Sequence, residues 1–305
     1  MRTLRIGGAL AGIAIAALAL TACNSGTPGA EPGATNGGGD EETSSTPWTV
    51  AKDVKIEGSP TFDAITERGK VKVGVKEDQP GLGYLDPVSN ERTGFDIDIA
   101  RWIAASLGYD EDKIEFTAIP SANREQAIVN GDIDYYVGTY SITDKRKEQI
   151  SFAGPYFITG QGLLVAADND TIDGPDSLTA DMTVCSATGS TSIQRIKDLG
   201  TAQTKEYDTY SACVEDLKNG QVDAVTTDEA ILIGYAAQDP DNLKVVGDVF
   251  SEERYGVGIA KGDTALQEFI NTMFTDGNDV WQQIFDNNLG ASGVKAEQPE
   301  VDPVD

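Results

Sequence analysis

The chain has no histidine, and among its 305 residues only 3 are cysteine and 3 are methionine. Without imidazole, the commonest metal ligand and a frequent general base are missing. No nucleophile–base constellation stands out either, so no metal, cofactor or catalytic centre is expected, and the chain does not read as an enzyme. Basic residues are scarce: 23 Lys and Arg stand against 50 Asp and Glu, a formal net charge of −27. Nothing forms a basic stripe, which excludes nucleic acid as a partner. Long apolar runs are limited to one, residues 6–20, which follows Arg2 and Arg5. A charged start, an apolar stretch of about 15 residues and a small-residue ending make a secretory signal, not a spanning helix.

The leader ends in Leu20-Thr21-Ala22-Cys23, which resembles a bacterial lipobox. Residues 1–22 would then be removed and Cys23 diacylated as the mature N-terminus; an ordinary signal peptide beside a stray cysteine is the alternative. Loss of the leader removes two arginines and no acids, which takes the charge to about −29. Residues 23–49 are mostly Gly, Thr, Ser, Pro, Asn and Glu, a composition that cannot bury enough surface to fold, and are expected to be a flexible acylated tether. Residues 291–305 are expected to be a disordered tail. Roughly 240 residues remain, enough for two α/β lobes of about 100 residues or slightly more. With Cys23 assigned to lipid, Cys185 and Cys213 remain as an even pair in an oxidising compartment and are expected to form a disulfide; two buried thiols are the alternative.

The string Asn-Gly-x-(Ile/Val)-Asp occurs twice, at residues 130–134 and 219–223. Each copy follows a helix-like stretch, and each leads to polar groups: Gly138-Thr139-Tyr140-Ser141 in one case, Thr226-Thr227-Asp228 in the other. Asn-Gly after an amphipathic helix is a C-cap signal, because those residues tolerate positive φ. A five-residue strand would then deliver polar side chains at its carboxyl end, where open α/β sheets bind ligands. Two copies suggest two similar lobes presenting matched edges to one ligand; chance similarity of two βα units would give the same string.

Strands are expected over residues 71–75, 114–119, 135–137, 163–166, 182–185, 224–225, 244–246 and 255–260. Helices are expected from Gly94 to Gly108 and over 124–129, 192–199, 211–218, 229–237 and 265–285. This alternation implies mostly parallel sheets.

Six motifs occur in order: Gly94-Phe95-Asp96-Ile97-Asp98, Tyr140-Ser141-Ile142-Thr143-x-x-Arg146, Phe152-x-x-Pro155-Tyr156, Thr188-Gly189-Ser190-Thr191, Thr227-Asp228 and Tyr255-Gly256-Val257-Gly258. Together they resemble the family 3 extracellular solute-binding proteins, which serve ABC importers of polar amino acids. Two further stretches, Asp78-Gln79-Pro80-Gly81-Leu82-Gly83 and Glu206-Tyr207-Asp208-Thr209-Tyr210-Ser211-x-Cys213, look like the glutamate-binding lipoproteins of Gram-positive glutamate importers, which also keep a cysteine pair at the positions of Cys185 and Cys213. The resemblance implies an α/β, two-lobed type II periplasmic-binding-protein fold with a two-strand hinge near Thr159-Gly160-Gln161 and Arg254-Tyr255. Lobe 1 would comprise residues 50–159 and 255–290, and lobe 2 residues 160–254. A monomer, held at the outer face of the cytoplasmic membrane by its lipid, would close on a solute and present it to permease subunits.

The same resemblance assigns roles. Arg146 matches the arginine that grips the α-carboxylate, a bidentate task suited to a planar guanidinium. Thr139 and Ser141 match its hydroxyl or backbone neighbours, and Thr191 a backbone N–H at a helix N-terminus that reaches the same carboxylate. Asp228 matches the acid that receives the ammonium. Ser121 and Arg124 match the pair that grips a distal carboxylate, and Lys76 lies where binders of basic amino acids carry aspartate. Read without the resemblance, Lys76, Arg124 and Arg146 are solvated surface charges. Tyr84 and Tyr255 are placed on the cleft, in the core or at an exposed rim, and Phe152, Tyr156 and Phe157 in the core near the hinge.

The acidic total does not forbid an anionic solute, because surface charges are screened beyond about 8 Å whereas direct contacts are not. Glutamate, with aspartate second, is the expected ligand; glutamine or asparagine would leave one cationic position idle. A sensor lipoprotein acting through a membrane kinase would use the same site.

Overall fold

A computed structural model describes residues 46–304; the leader, Cys23 and tether residues up to 45 lie outside the described residues. Strands run in the order β1 (Val71–Val75), β2 (Asp78–Gln79), β3 (Gly83–Leu85), β4 (Arg92–Thr93), β5 (Ile114–Ala118), β6 (Tyr135–Tyr136), β7 (Ser151–Thr159), β8 (Gln161–Ala166), β9 (Thr183–Ala187), β10 (Gln203–Tyr207), β11 (Ala224–Asp228), β12 (Leu243–Val246) and β13 (Glu253–Ile259). The α-helices are α1 (Pro60–Arg68), α2 (Phe95–Ser106), α3 (Arg124–Val129), α4 (Asp144–Lys147), α5 (Thr191–Leu199), α6 (Tyr210–Lys218), α7 (Glu229–Gln238), α8 (Thr264–Asp276) and α9 (Asn278–Asn288).

Two five-stranded sheets, ordered β5-β1-β6-β13-β7 and β10-β9-β11-β8-β12, form the two lobes, and β2-β3-β4 form a small third sheet. Strand β13 follows the second sheet in sequence yet pairs with β6 and β7 in the first. The chain therefore crosses between lobes at Gly160 and again within 247–252. Glu253 and Arg254 already pair with Thr159 and Ile158, so the return lies just before the Arg254-Tyr255 position expected from sequence.

The expectation of mostly parallel sheets is corrected. β1 runs parallel to β5 and β6, and β9 to β10 and β11, but β13 and β8 are antiparallel to both of their neighbours. Those two strands enter each sheet directly from the other lobe, without the helical crossover that keeps neighbours parallel.

The repeated string does mark matched places: β6 and β11, the strands that follow its two copies, each hold the centre of a sheet. Gly131 and Gly220 supply the positive φ, 71° and 65°, whereas both asparagines stay at negative φ. The first strand spans only two residues instead of five, since the chain soon turns to positive φ at Thr139 (47°).

The first lobe's core is aromatic. Phe95 packs against Phe157 and Trp281 with centroids 5.4 and 5.8 Å apart, and the Trp281 indole donates to the Tyr156 carbonyl at 2.8 Å. Phe152, Tyr156 and Phe157 are buried, as expected. The helix expected over 265–285 is two helices, because Gly277 interrupts it against the Trp102 ring. Residues 291–304 lack regular structure but do not form a loose tail. Asp302 pairs with Arg254 at 2.6 Å, its N–H donates to Gly154 and its carbonyl accepts from Asn271, while Val294, Ala296 and Val301 pack on the core. At the other end Trp48 packs on the same core, so the tether's last residues are anchored.

Cys185 in β9 and Cys213 in α6 form the expected disulfide, with Cα atoms 5.5 Å apart. Replacing both with serine should lower unfolding stability by about 2–4 kcal/mol, measured by urea titration. Thiol titration of the protein with Cys23 replaced by serine should find no free thiol, since Cys185 and Cys213 are bonded to each other.

Candidate functional site

Each of the eight candidate ligand residues lies at or beyond the carboxyl end of a strand, or at the helix that follows. Lys76 directly follows β1, Ser121 and Arg124 follow β5, Thr139, Ser141 and Arg146 follow β6, Thr191 opens α5 after β9, and Asp228 ends β11. Parallel strands point these ends the same way, which is why open α/β sheets gather ligand groups there.

The first lobe brings its cations together. Lys76 and Arg124 are only 4% and 3% exposed. Lys76 Nζ donates to Ser121 Oγ at 2.7 Å, and Arg124 donates to the carbonyls of Ser121 and Thr139 at 3.1 and 3.4 Å. Among the described residues neither has a carboxylate within ion-pair distance, although burying an unpaired charge is costly. Burial lowers Lys76 from the ordinary lysine range to about 7, with Arg124 and Arg146 adding to the effect against Asp78 and Asp208. The guanidiniums of Arg124 and Arg146 lie 4.3 and 4.9 Å from the Tyr140 ring centroid. The negative π face of that ring attracts each of the two cations and so offsets part of their mutual repulsion.

Arg146 spans the cleft. Its Nε pairs with Glu125 at 3.1 Å, one terminal nitrogen donates to the Ser141 carbonyl at 2.6 Å, and the other to the Gly189 carbonyl of the second lobe at 3.2 Å. These bonds take three of the five N–H donors of a guanidinium.

Thr139 is held in its unusual backbone conformation by Asp96. The Thr139 N–H donates to one carboxylate oxygen at 2.9 Å, and the Tyr156 hydroxyl to the other at 2.8 Å. A non-glycine residue at positive φ costs roughly 1 kcal/mol or more, so the surrounding bonds must over-determine it. Burial raises Asp96 to about 6 despite those bonds. Gln79 shares a further hydrogen bond with the Thr139 hydroxyl at 3.1 Å.

From the second lobe, Asp228 faces this group. It accepts from the Tyr255 hydroxyl at 2.7 Å and weakly from Ser192 at 3.5 Å. Burial raises it to about 7, and Glu253 adds to the rise. Thr191 occupies the first position of α5, where a backbone N–H has no intrahelical acceptor, and its hydroxyl donates to Glu253 at 3.0 Å. An open cleft of about 760 Å³ runs alongside, walled by Ser121, Glu125, Arg146, Gly189, Thr191 and Gln194 among others. Lys76, Arg124 and Asp228 are not on that wall.

All eight residues thus belong to one neighbourhood, and the solvated-surface reading of the three cations fails on their burial. Sequence reasoning left several supports without a role, among them Gln79, Asp96, Glu125, Tyr140 and Glu253. Asp96 and Tyr140 stood inside motifs, whereas no signal pointed to Glu253. Tyr255, left open among cleft, core and rim, is fully buried and bonds Asp228.

Chemically the arrangement sets buried cationic groups of the first lobe near a buried carboxylate of the second. The family model of the bacterial extracellular solute-binding proteins, family 3, matches residues 71–290. The glutamate-binding protein GluB of Corynebacterium efficiens is 43% identical over 248 residues, 77% of this chain and 83% of its own. A glutamine-binding protein of Geobacillus stearothermophilus is 42% identical over 205 residues, 67% of this chain and 78% of its own. Among solved structures, the cysteine-binding protein of Campylobacter jejuni superposes with a TM-score of 0.71 at 26% identity, covering 79% of this chain and 98% of that one. With the two-lobed fold, the strand-end cluster and this match agreeing, the chain belongs to family 3 of the bacterial extracellular solute-binding proteins.

Proposed function

We propose that the chain captures glutamate between its lobes and delivers it to the permease of an ABC importer, with Cys23 anchoring it by lipid to the outer face of the cytoplasmic membrane. The observation that carries this reading is the pair Lys76 and Arg124, buried without a counter-carboxylate beside Arg146. Burial of unpaired cations is relieved by an anion, and one α-carboxylate satisfies only one cationic position. Arg146, with Ser141, Thr139 and the Thr191 N–H, takes the α-carboxylate. Asp228 takes the ammonium. Lys76, Ser121 and Arg124 take the distal carboxylate. The corynebacterial GluB relative supports glutamate. The Geobacillus relative supports a second reading, glutamine, in which the distal group is an amide.

Calorimetry over the twenty amino acids tests this. Glutamate should bind most tightly, ahead of aspartate and glutamine; tighter glutamine would favour the amide reading, and no binding would reject both. The pH dependence has two limbs. Lys76, near 7 without ligand, gains a proton when a carboxylate binds, so affinity falls as pH rises above about 7. Asp228, also near 7, must lose its proton to receive the ammonium, so affinity falls as pH drops below about 7. Glutamate affinity should therefore peak near neutrality and decline by up to about tenfold per pH unit on either side. In Lys76→Met the alkaline limb should disappear.

A further inference from the structure

We propose that Asp78 is a latch that holds the two lobes closed and so sets ligand affinity without touching the ligand. This rests on the reading of the protein as a two-lobed solute trap. Helix α6 belongs to the second lobe, tied to β9 by the Cys185–Cys213 disulfide. Its N-cap residue, Thr209, makes no side-chain capping bond. The cap comes from the other lobe: Asp78 Oδ2 accepts from the N–H of Tyr210 at 2.7 Å and of Ser211 at 3.2 Å. A carboxylate at that place satisfies orphan N–H groups and meets the positive end of the helix dipole.

The Tyr235 hydroxyl of α7 adds a bond to the Asp78 carbonyl and approaches Oδ2 at 3.3 Å. Asp78 itself is held on the first lobe. It sits in β2, paired with Tyr84 of β3, and the turn between them accepts from the N–H groups of Phe95 and Asp96 through the carbonyls of Gly81 and Leu82.

Next to the latch, backbone meets backbone. A Cβ added to Gly234 in α7 would lie 2.3 Å from the Pro80 carbonyl oxygen. The closed arrangement therefore requires glycine there, although alanine suits a helix interior better. An open arrangement carries no such requirement.

Two variants test the latch. Asp78→Ala removes the cap, but Asp78 also raises the pKa of nearby Lys76, so it changes the site's charge as well. Gly234→Ala changes no charge and decides the matter. In both, dissociation of glutamate measured by stopped-flow should speed up by about tenfold or more with little change in the association rate, since apparent affinity scales with the fraction of closed-competent protein. The fold-loss should be the same for glutamine. The ligand-free Gly234→Ala protein should melt no lower than wild type, in opposition to its weaker binding. Small-angle scattering of the ligand-free proteins reads closure independently: larger dimensions in the variants support the latch even if wild type binds neither amino acid, an outcome that would reject the capture reading alone. Unchanged dissociation together with unchanged scattering in both variants overturns the latch, as does a Gly234→Ala melting loss that accounts for the weaker binding.

Discussion

Arg146→Ala leaves no measurable calorimetric binding of glutamate, glutamine or any other α-amino acid. The guanidinium is buried among Glu125 and the carbonyls of Ser141 and Gly189. Its removal leaves those acceptors without their donor and the ligand's α-carboxylate without its main counter-charge. Truncating one partner of a buried, hydrogen-bonded charge pair costs about 2–5 kcal/mol, and here one truncation breaks several such contacts. An affinity loss of about a thousandfold or more is expected. It should strike all ligands alike, because every α-amino acid presents the same carboxylate. Lysine in its place keeps the charge but not the fork, so Arg146→Lys should recover only part of the loss. Arg146 sits on the one-turn helix α4, outside both sheets, so the variant should fold. Retention of affinity within tenfold of wild type would remove Arg146 from the site.

The second large effect concerns selectivity. Arg124→Ala should weaken glutamate by about a hundredfold or more while costing glutamine less than tenfold, since a charged hydrogen bond contributes more than a neutral one. Some common loss is expected, because Arg124 also holds the Thr139 carbonyl and lies against Tyr140. The ratio between the two ligands is therefore the measurement. Equal losses would make Arg124 a support for the Thr139 turn and would move the distal carboxylate elsewhere.

Much of this site was legible in the residues themselves. The motifs around Ser141, Arg146, Thr191 and Asp228 are short, local and placed at strand ends, so their order along the chain anticipates their meeting in space. Short apolar or alternating stretches marked most of the strands, and the Asn-Gly strings marked matched places in the two sheets. Other elements carry weaker signals. Strand β10 is Gln-Thr-Lys-Glu-Tyr, only partly buried, and forms an edge, so no apolar alternation announces it. Helix α1 is signalled by Ser59-Pro60 at one end and Gly69 at the other, but its apolar positions are few. The C-terminal stretch looks loose by composition and is held by the pairing of Asp302 with Arg254, 48 residues away.

By itself the sequence determined which lobes exist, where strands end and which polar groups those ends present, because helix, strand and cap preferences depend on residues a few positions apart. Only the tertiary structure decided that Lys76 and Arg124 are buried without a carboxylate, that Tyr255 bonds Asp228, and that Asp78 caps a helix 132 residues away in the other lobe. Burial and desolvation are set by what the rest of the chain places around a group, and no local pattern encodes them.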